Sequence, residues 1–317
     1  MLLKIRPATL DDVAGITEVH CSDIDRWFKW EDGERVEARY EELSVEERFE
    51  HGGPWMSVET CAVHLNYVLT SGQYPLVAEL DGKIVGELEL YIGDERSVLG
   101  KTAFIDILFI HKNYRRKGIG RALIDKARKL AMKKHCNTLS VWPERDAIPF
   151  YRKCGLNKTA FEITYIIIKV GHCKNLEGRG KREPFPDNYN ALREMYFISP
   201  RIGSAYTIWL KSRWIFALKE TRIVFDEGYL PKYEAMYIIE SLWRKRRDAR
   251  LIFWIDDLGN LPEALSLVCY RARRKGFERL HMFVEKDIYE DFIKEKFPHE
   301  VRGSELVLME KLTCPDD

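Results

Sequence analysis

The stretch Phe104–Ala131, FIDILFIHKNYRRKGIGRALIDKARKLA, most narrows what this chain can fold into. Its first seven residues are apolar except for Asp106, which suits a strand covered on both faces. Ile119, Leu123, Ala127, Leu130 and Ala131 then recur with helical spacing. Between them lies the basic glycine turn Arg115–Arg121. Glycines let the chain curl closely around a ligand, and the first N–H groups of a helix lack intrahelical acceptors. Strand, glycine turn and helix start therefore make an anion site, with Arg115, Arg116, Lys117 and Arg121 supplying positive field. The spacing is not that of a nucleoside-triphosphate loop, because no G-K-[ST] follows. The dinucleotide fingerprint also fails, since its glycine order differs.

The rest of the first half reads as an alternation of strands and helices. Leu3–Arg6 is a strand, and Thr9 caps a helix running to His20. Cys21–Gly53 is crowded with aromatic and acidic residues and reads as a charged, helix-rich wall. Its functional reading is a cap that attracts a cationic molecule. Val58–Thr70 is a helix. Leu76–Leu80 and Ile84–Tyr91 form a hairpin across Asp81-Gly82. Thr138–Trp142 is a strand, Ala147–Lys153 a short helix, and Phe161–Val170 a closing strand. The fold class is α/β, with a mixed sheet and crossing helices.

Gly171–Asn188 has linker composition, which divides the chain into a domain at 1–172, a linker at 173–189 and a domain at 190–317. In the second domain Tyr206–Leu210, Trp214–Lys219 and Ile223–Phe225 read as strands, and Tyr229–Arg247 as a helix. Strands at Leu251–Ile255, Arg279–Val284 and Glu305–Glu310 alternate with helices at Pro262–Lys275 and Asp287–Lys296. This order echoes the first half. The counterpart of the basic turn is Asp256-Asp257-Leu258-Gly259-Asn260, whose acids would repel a diphosphate. The second domain is a divergent copy of the first or an unrelated α/β domain.

Composition excludes little. The 317 residues carry a net charge of +1, which gives no general support for a nucleic-acid or membrane partner. Seven cysteines without a CxxC pair argue against a zinc site or disulfide framework, so no metal is expected and the setting is reducing and cytoplasmic. No apolar run reaches membrane-spanning length, and the N-terminus lacks a leader pattern. An oligomeric state is not set by these features.

Arg115-x-x-Gly118-x-Gly120, preceded by Leu108-x-Ile110 and Tyr114, resembles the phosphate loop of the GNAT family of acyl-CoA-dependent N-acyltransferases. Ala147, Phe150, Tyr151, Gly155 and Leu156 resemble that family's next marker, and the likeness covers roughly residues 1 to 170. Arg116 stands where the family often has glycine, and Glu144 where it often has asparagine. The resemblance implies a mixed sheet of the acyl-CoA N-acyltransferase type and acetyl-CoA as co-substrate. Pantetheine would pair with backbone at Leu108, Phe109 and Ile110. The diphosphate would lie on Arg115, Arg116, Lys117, Gly118, Ile119, Gly120 and Arg121. Acetyl would pass by direct attack to an amine of a small molecule or a protein. Tyr151 would protonate the departing thiolate, while Asp106, Glu87, Glu89 or a water would take the amine proton. Each of these carboxylates has an equally good reading as a satisfied structural group. The alternative function is a non-catalytic acyl-CoA sensor.

Overall fold

The computed structural model describes residues 2–173, 181–199, 203–214, 218, 224–242 and 245–313. The chain forms two compact units drawn from interleaved stretches. The first comprises Met1–Tyr91, Ile105–Lys134 and Trp214–Lys219. The second comprises Ile92–Phe104, His135–Arg213 and Glu220–Asp317.

In the first unit the elements run β1 (Leu3–Pro7), α1 (Val13–Cys21), β2 (Trp27–Glu31), β3 (Glu34–Ala38), α2 (Val45–Glu50), α3 (Val58–Thr70), β4 (Tyr74–Leu80), β5 (Lys83–Asp94), β6 (Lys101–Ile110) and α4 (Ile119–Lys133). The last residues of β5 and the first of β6 belong to the second unit. β4 pairs antiparallel with β1 on one side and β5 on the other. Asp81 and Gly82 both take positive φ, +49° and +84°, as a two-residue hairpin between right-twisted strands requires. α1 and α3 bury Ile16, Val19, Cys61 and Leu65 against Val77 and Ile84 of the sheet. Ser57 caps α3 by accepting from Thr60 N.

Cys21–Gly53 differs from the helix-rich wall expected. β2 and β3 form an antiparallel hairpin, with Glu31 opposite Glu34 across Asp32 (φ +50°) and Gly33 (φ +84°). Acidic residues had masked an Asp-Gly turn of the same kind as the one at 81–82. Only α2 is helical for more than one turn here, with Ser44 and Glu47 in a capping box.

The second unit contains β7 (Thr138–Val141), α5 (Ile148–Lys153), β8 (Lys158–Lys169), β9 (Tyr196–Phe197), α6 (Ala205–Ser212), β10 (Val224–Leu230), β11 (Ala235–Leu242), β12 (Lys245–Ile255), α7 (Leu261–Arg274), β13 (Arg279–Glu285) and β14 (His299–Lys311). Its strand order is β7-β14-β8-β13-β12-β11-β10. The final strand is thus inserted between β7 and β8, antiparallel to both. β8 in turn pairs antiparallel with β13. β8 and β14 therefore lie side by side, between β7 and β13. α7 packs Leu261, Leu265, Val268 and Ala272 on a core that includes Ile166, Leu251, Phe253 and Leu280.

Two segments of this unit correct the sequence reading. Tyr206–Leu210 lies in α6, whose N-cap Ser204 accepts from Thr207 N, and is not a strand. Tyr229–Arg247 is not a helix: β10 ends at Leu230, Glu234 turns the chain with φ +47°, and β11 and the start of β12 follow. Ala235–Glu240 is buried throughout, so its apolar run carries neither an alternating nor a helical signature. Residues 215–217, 219–223 and 243–244, which bear on the expected strands at Trp214–Lys219 and Ile223–Phe225 and on Trp243, lie outside the described residues in whole or part. So do 174–180 of the expected linker.

β12 and β13 pair in parallel only through Asp248–Arg250 and Arg279–His281. Beyond Arg250 the space beside β12 is taken by the chain itself. Trp254 and Ile255 pair antiparallel with Phe197 and Tyr196, and Ile198 N donates to Phe253 O at 3.2 Å.

Candidate active site

β6 delivers the chain into the glycine turn. His111 N donates to Val85 O at 3.0 Å, which ties the end of β6 to β5. A single 3-10 turn, Lys112–Tyr114, follows, and α4 opens at Ile119. Gly118 is its N-cap at φ +82°, in the left-handed region, and has no side chain with which to cap. Arg116 also lies in that region, at φ +62°. A non-glycine residue there is strained by about 1–2 kcal/mol. That strain explains why the resembled family favours glycine at this position. Alternating left-handed residues turn successive N–H groups inward to form a nest for an anion. The uncapped first turn of α4 adds its own donors.

Arg116, Lys117 and Arg121 are exposed, with Lys117 Nζ 4.9 Å from the Tyr114 ring centroid. Arg115 is committed differently. It donates through Nε to Ile110 O at 3.1 Å and pairs with Asp23 at 2.8 Å. It therefore braces the turn to the strand end. Ile119 is buried beneath the turn and anchors α4 to the core. Leu108, Phe109 and Ile110 are half-buried along β6.

The carboxylates proposed from sequence cluster in the first unit. Glu87 and Glu89 share the face of β5 that meets α1 and α3. Both are buried, and each has acquired a histidine that sequence reasoning did not single out. His20 of α1 meets Glu87 at 2.6 Å, and His64 of α3 meets Glu89 at 2.8 Å. Glu89 also accepts from Trp55 Nε1 at 3.0 Å and from the Tyr91 hydroxyl at 2.8 Å. Three donors hold it in place. Burial pushes the Glu87 carboxyl up, against the pull of the His20 ring. The His20 ring stacks on Trp55 at 5.1 Å and on Phe109 at 4.5 Å, which carries the Glu87 pair to the β6 stretch. Burial, Glu89 and Asp106 together raise the Tyr91 phenol far above its ordinary value. Asp106 is half-buried on β6. Trp214, from much later in the chain, stacks on Tyr67 at 5.4 Å and meets His64 edge-on at 5.6 Å. Residues 20, 64 and 214 carry no motif, and only the folded arrangement identifies them.

Tyr151 belongs to the second unit. It is buried in α5, edge-on to Phe150 at 5.2 Å. Burial, with Cys154 nearby, pushes its phenol up and keeps it protonated at neutral pH.

The acidic turn of the second half is satisfied internally. Asp257 accepts from Gly259 N at 2.8 Å, and Asp256 pairs with Arg96 at 2.8 Å. Among the described residues no cluster of three or more His, Cys, Asp or Glu side chains could hold a metal ion. No helix among them is long and apolar enough to cross a membrane.

Residues 26–156 match the acetyltransferase (GNAT) family, so the chain carries a GNAT domain in its first half. No curated protein matches the sequence. Several solved structures share the fold. A GCN5-related N-acetyltransferase from Anabaena variabilis is 12% identical at a TM-score of 0.59, over 97% of this chain and 72% of that one. A second, from Kribbella flavida, is also 12% identical, with a TM-score of 0.56 over 97% and 70% of the two chains. A tandem GNAT protein from the clavulanic acid biosynthesis pathway is 16% identical at a TM-score of 0.52, over the full length of both. At these identities the likeness is one of fold.

Proposed function

We propose that the protein is an N-acetyltransferase that moves an acetyl group from acetyl-CoA to a primary amine. The observation that carries this reading is the turn Arg115–Arg121. Its left-handed residues Arg116 and Gly118 open an uncapped helix, and exposed cations surround it. This suits a diphosphate. Arg116, Lys117 and Arg121 supply charge, and the backbone of Gly118, Ile119 and Gly120 supplies donors. Leu108, Phe109 and Ile110 offer strand backbone to the pantetheine.

Acetyl-CoA supplies an activated acyl group as a thioester. The protein must hold an amine beside it, remove a proton and protonate the thiolate. The His20–Glu87 pair is the proton acceptor in this reading. Its carboxyl is raised by burial, and its imidazole lies against Phe109 of the cofactor strand. Glu89 has three donors already and holds Trp55, His64 and Tyr91 in position. Asp106 contributes negative charge at the same cluster, which favours a cationic acceptor. Tyr151 keeps its proton at neutral pH and is the donor to the thiolate. The second half, with its cleft filled by Tyr196–Ile198, is a divergent copy that does not take acetyl-CoA.

A screen of primary amines that follows release of free CoA thiol tests the reading. It predicts turnover with at least one cationic amine, and a loss of about 10²-fold or more in kcat for Tyr151→Phe. Turnover by Tyr151→Phe at the parent rate would remove the tyrosine from the mechanism. Acetyl-CoA binding without turnover on any amine would leave a sensor instead.

A further inference from the structure

A groove on the first unit is lined by residues that acetyl transfer as proposed does not use. α4 packs against β1 and β4. Where the pairing of those two strands ends, at Pro7 and Leu76, a cavity of about 420 Å³ opens beside the helix. Its lining is apolar at Pro75 and Leu76, which are buried, and at Leu69, Tyr74 and Leu130, which are half-buried. Pro7 and Pro75 have no N–H to donate, and the carbonyl of Pro75 already accepts from Ala8 N at 2.9 Å. An extended strand adding itself here would therefore lack main-chain partners, so recognition must come from side chains.

The charged part of the lining is one helical stripe. Lys126, Lys129 and Lys133 face the same cavity, three and four residues apart on α4. At 1.5 Å of rise per residue they span about 10 Å. All three are exposed, and among the described residues none of their ammonium groups has an ion-pair or hydrogen-bond partner. Asp125, the one acid of α4, is committed to Arg128 at 2.5 Å. Lys134, next along, lies with its ammonium 5.2 Å from the Tyr74 ring centroid. Like charges at three- and four-residue spacing weaken a helix. The stripe thus carries a repulsion that a negative partner would remove.

We propose that this groove docks an acidic peptide segment of a partner protein. The segment places a large apolar side chain against Tyr74, Leu76 and Leu130, and sets its carboxylates along Lys126, Lys129 and Lys133. Charge complementarity decides the occupant. A free acyl chain brings one carboxylate, whereas the stripe offers three cations over about two helical turns. An anionic membrane takes up apolar side chains that project from a surface, and here they line a recess. The volume lies in the range of ligand-sized clefts. None of the residues placed at acetyl-CoA takes part, so either reading can fail while the other holds.

Fluorescence anisotropy of the full chain with labelled, end-capped peptides at low ionic strength tests the proposal. Saturable binding is expected for the sequence EDFEELLEE. EDSEESSEE, which keeps the acids and loses the apolar side chains, is expected to bind at least tenfold more weakly, and KKFKKLLKK not to bind. Replacing Lys126, Lys129 and Lys133 together by alanine, at exposed helix positions, is expected to weaken EDFEELLEE at least tenfold with an unchanged thermal transition. Replacing Arg116, Lys117 and Arg121 by alanine is expected to leave that affinity as it is. Absence of saturable binding by EDFEELLEE overturns the proposal, as does equal binding of EDSEESSEE or unaltered affinity in the lysine variant. Displacement of the peptide by dodecanoate would make the groove an acyl-chain site. Sedimentation with phosphatidylserine vesicles that is lost in the lysine variant would make it a membrane contact. Either result also overturns it.

Discussion

The backbone N–H of Ile198 donates to the carbonyl of Phe253, where β12 has parted from β13. In that gap Phe197 also packs against Trp254, with ring centroids 5.0 Å apart. The segment is therefore part of the sheet. Phe197→Ala should destabilise the protein by about 3 kcal/mol, the usual cost of truncating a buried aromatic. Urea unfolding measures this. An unshifted midpoint would mean that residues 196–198 do not close the gap in solution.

The glycine turn makes opposite demands at its two left-handed positions. Gly118→Ala places a Cβ at φ +82° and should cost about 1–2 kcal/mol of stability. Arg116→Gly relieves the same strain but adds chain entropy to the unfolded state, so its net effect should be within about 0.5 kcal/mol of zero. Thermal unfolding of both variants separates the cases. Equal destabilisation by the two would contradict the strained turn.

Glu87 and His20 form the proposed base. Glu87→Gln keeps the shape and removes the charge, and should lower kcat/KM by about 10²-fold or more. Glu89→Gln, at the carboxylate with three donors, should act mainly on stability. Steady-state rates and melting temperatures of the pair decide it. A larger catalytic loss at Glu89 would reverse the assignment.

Stability should fall in acid, for a reason visible at three sites. Burial disfavours ionisation of Asp12, Asp226 and Asp248. Even so, Arg6 at the first, Arg271 and Tyr237 at the second, and His281 and Arg279 at the third hold each below its ordinary value of 3.8. Below that value the unfolded chain binds more protons than the native one. Their stabilisation is complete above the ordinary range and is lost as pH falls through the depressed native values. Glu87 and Glu95 are raised by burial, so each favours the fold below its ordinary value and loses that effect as pH rises. The melting temperature should therefore drop steeply below about pH 4. Asp226→Asn should remove part of that slope and cost about 3 kcal/mol at neutral pH, since it strands Arg271 and Arg182. An identical acid slope in the variant would rule out Asp226 as a source.

Local signals made the first half readable. Asp81-Gly82, the Gly118 turn and the stripe of α4 each state their structure within a few residues. The Asp32-Gly33 hairpin was hidden because its strands are charged on both sides. β11 was misread because burial on both faces erases period, and α6 because Tyr, Thr, Ile and Trp favour strands until Ser204 caps a helix. The glycine turn could be seen in sequence; the left-handed backbone of Arg116, which glycine would adopt without strain, could not. His20 and His64 were invisible for a different reason. Their chemistry exists only when distant strands and helices bring them to Glu87 and Glu89. A two-residue strand such as Tyr196–Phe197 has no pattern at all.

The proposed acetyl-CoA site is the turn Arg115–Arg121 alone. Titrating acetyl-CoA into the full protein by calorimetry tests it most directly, alongside a variant in which Arg116, Lys117 and Arg121 are all replaced by alanine. Saturation at one acetyl-CoA per chain is predicted, with affinity reduced at least tenfold in the variant. Absence of saturable binding, saturation at two per chain, or unchanged affinity without the three cations would contradict it.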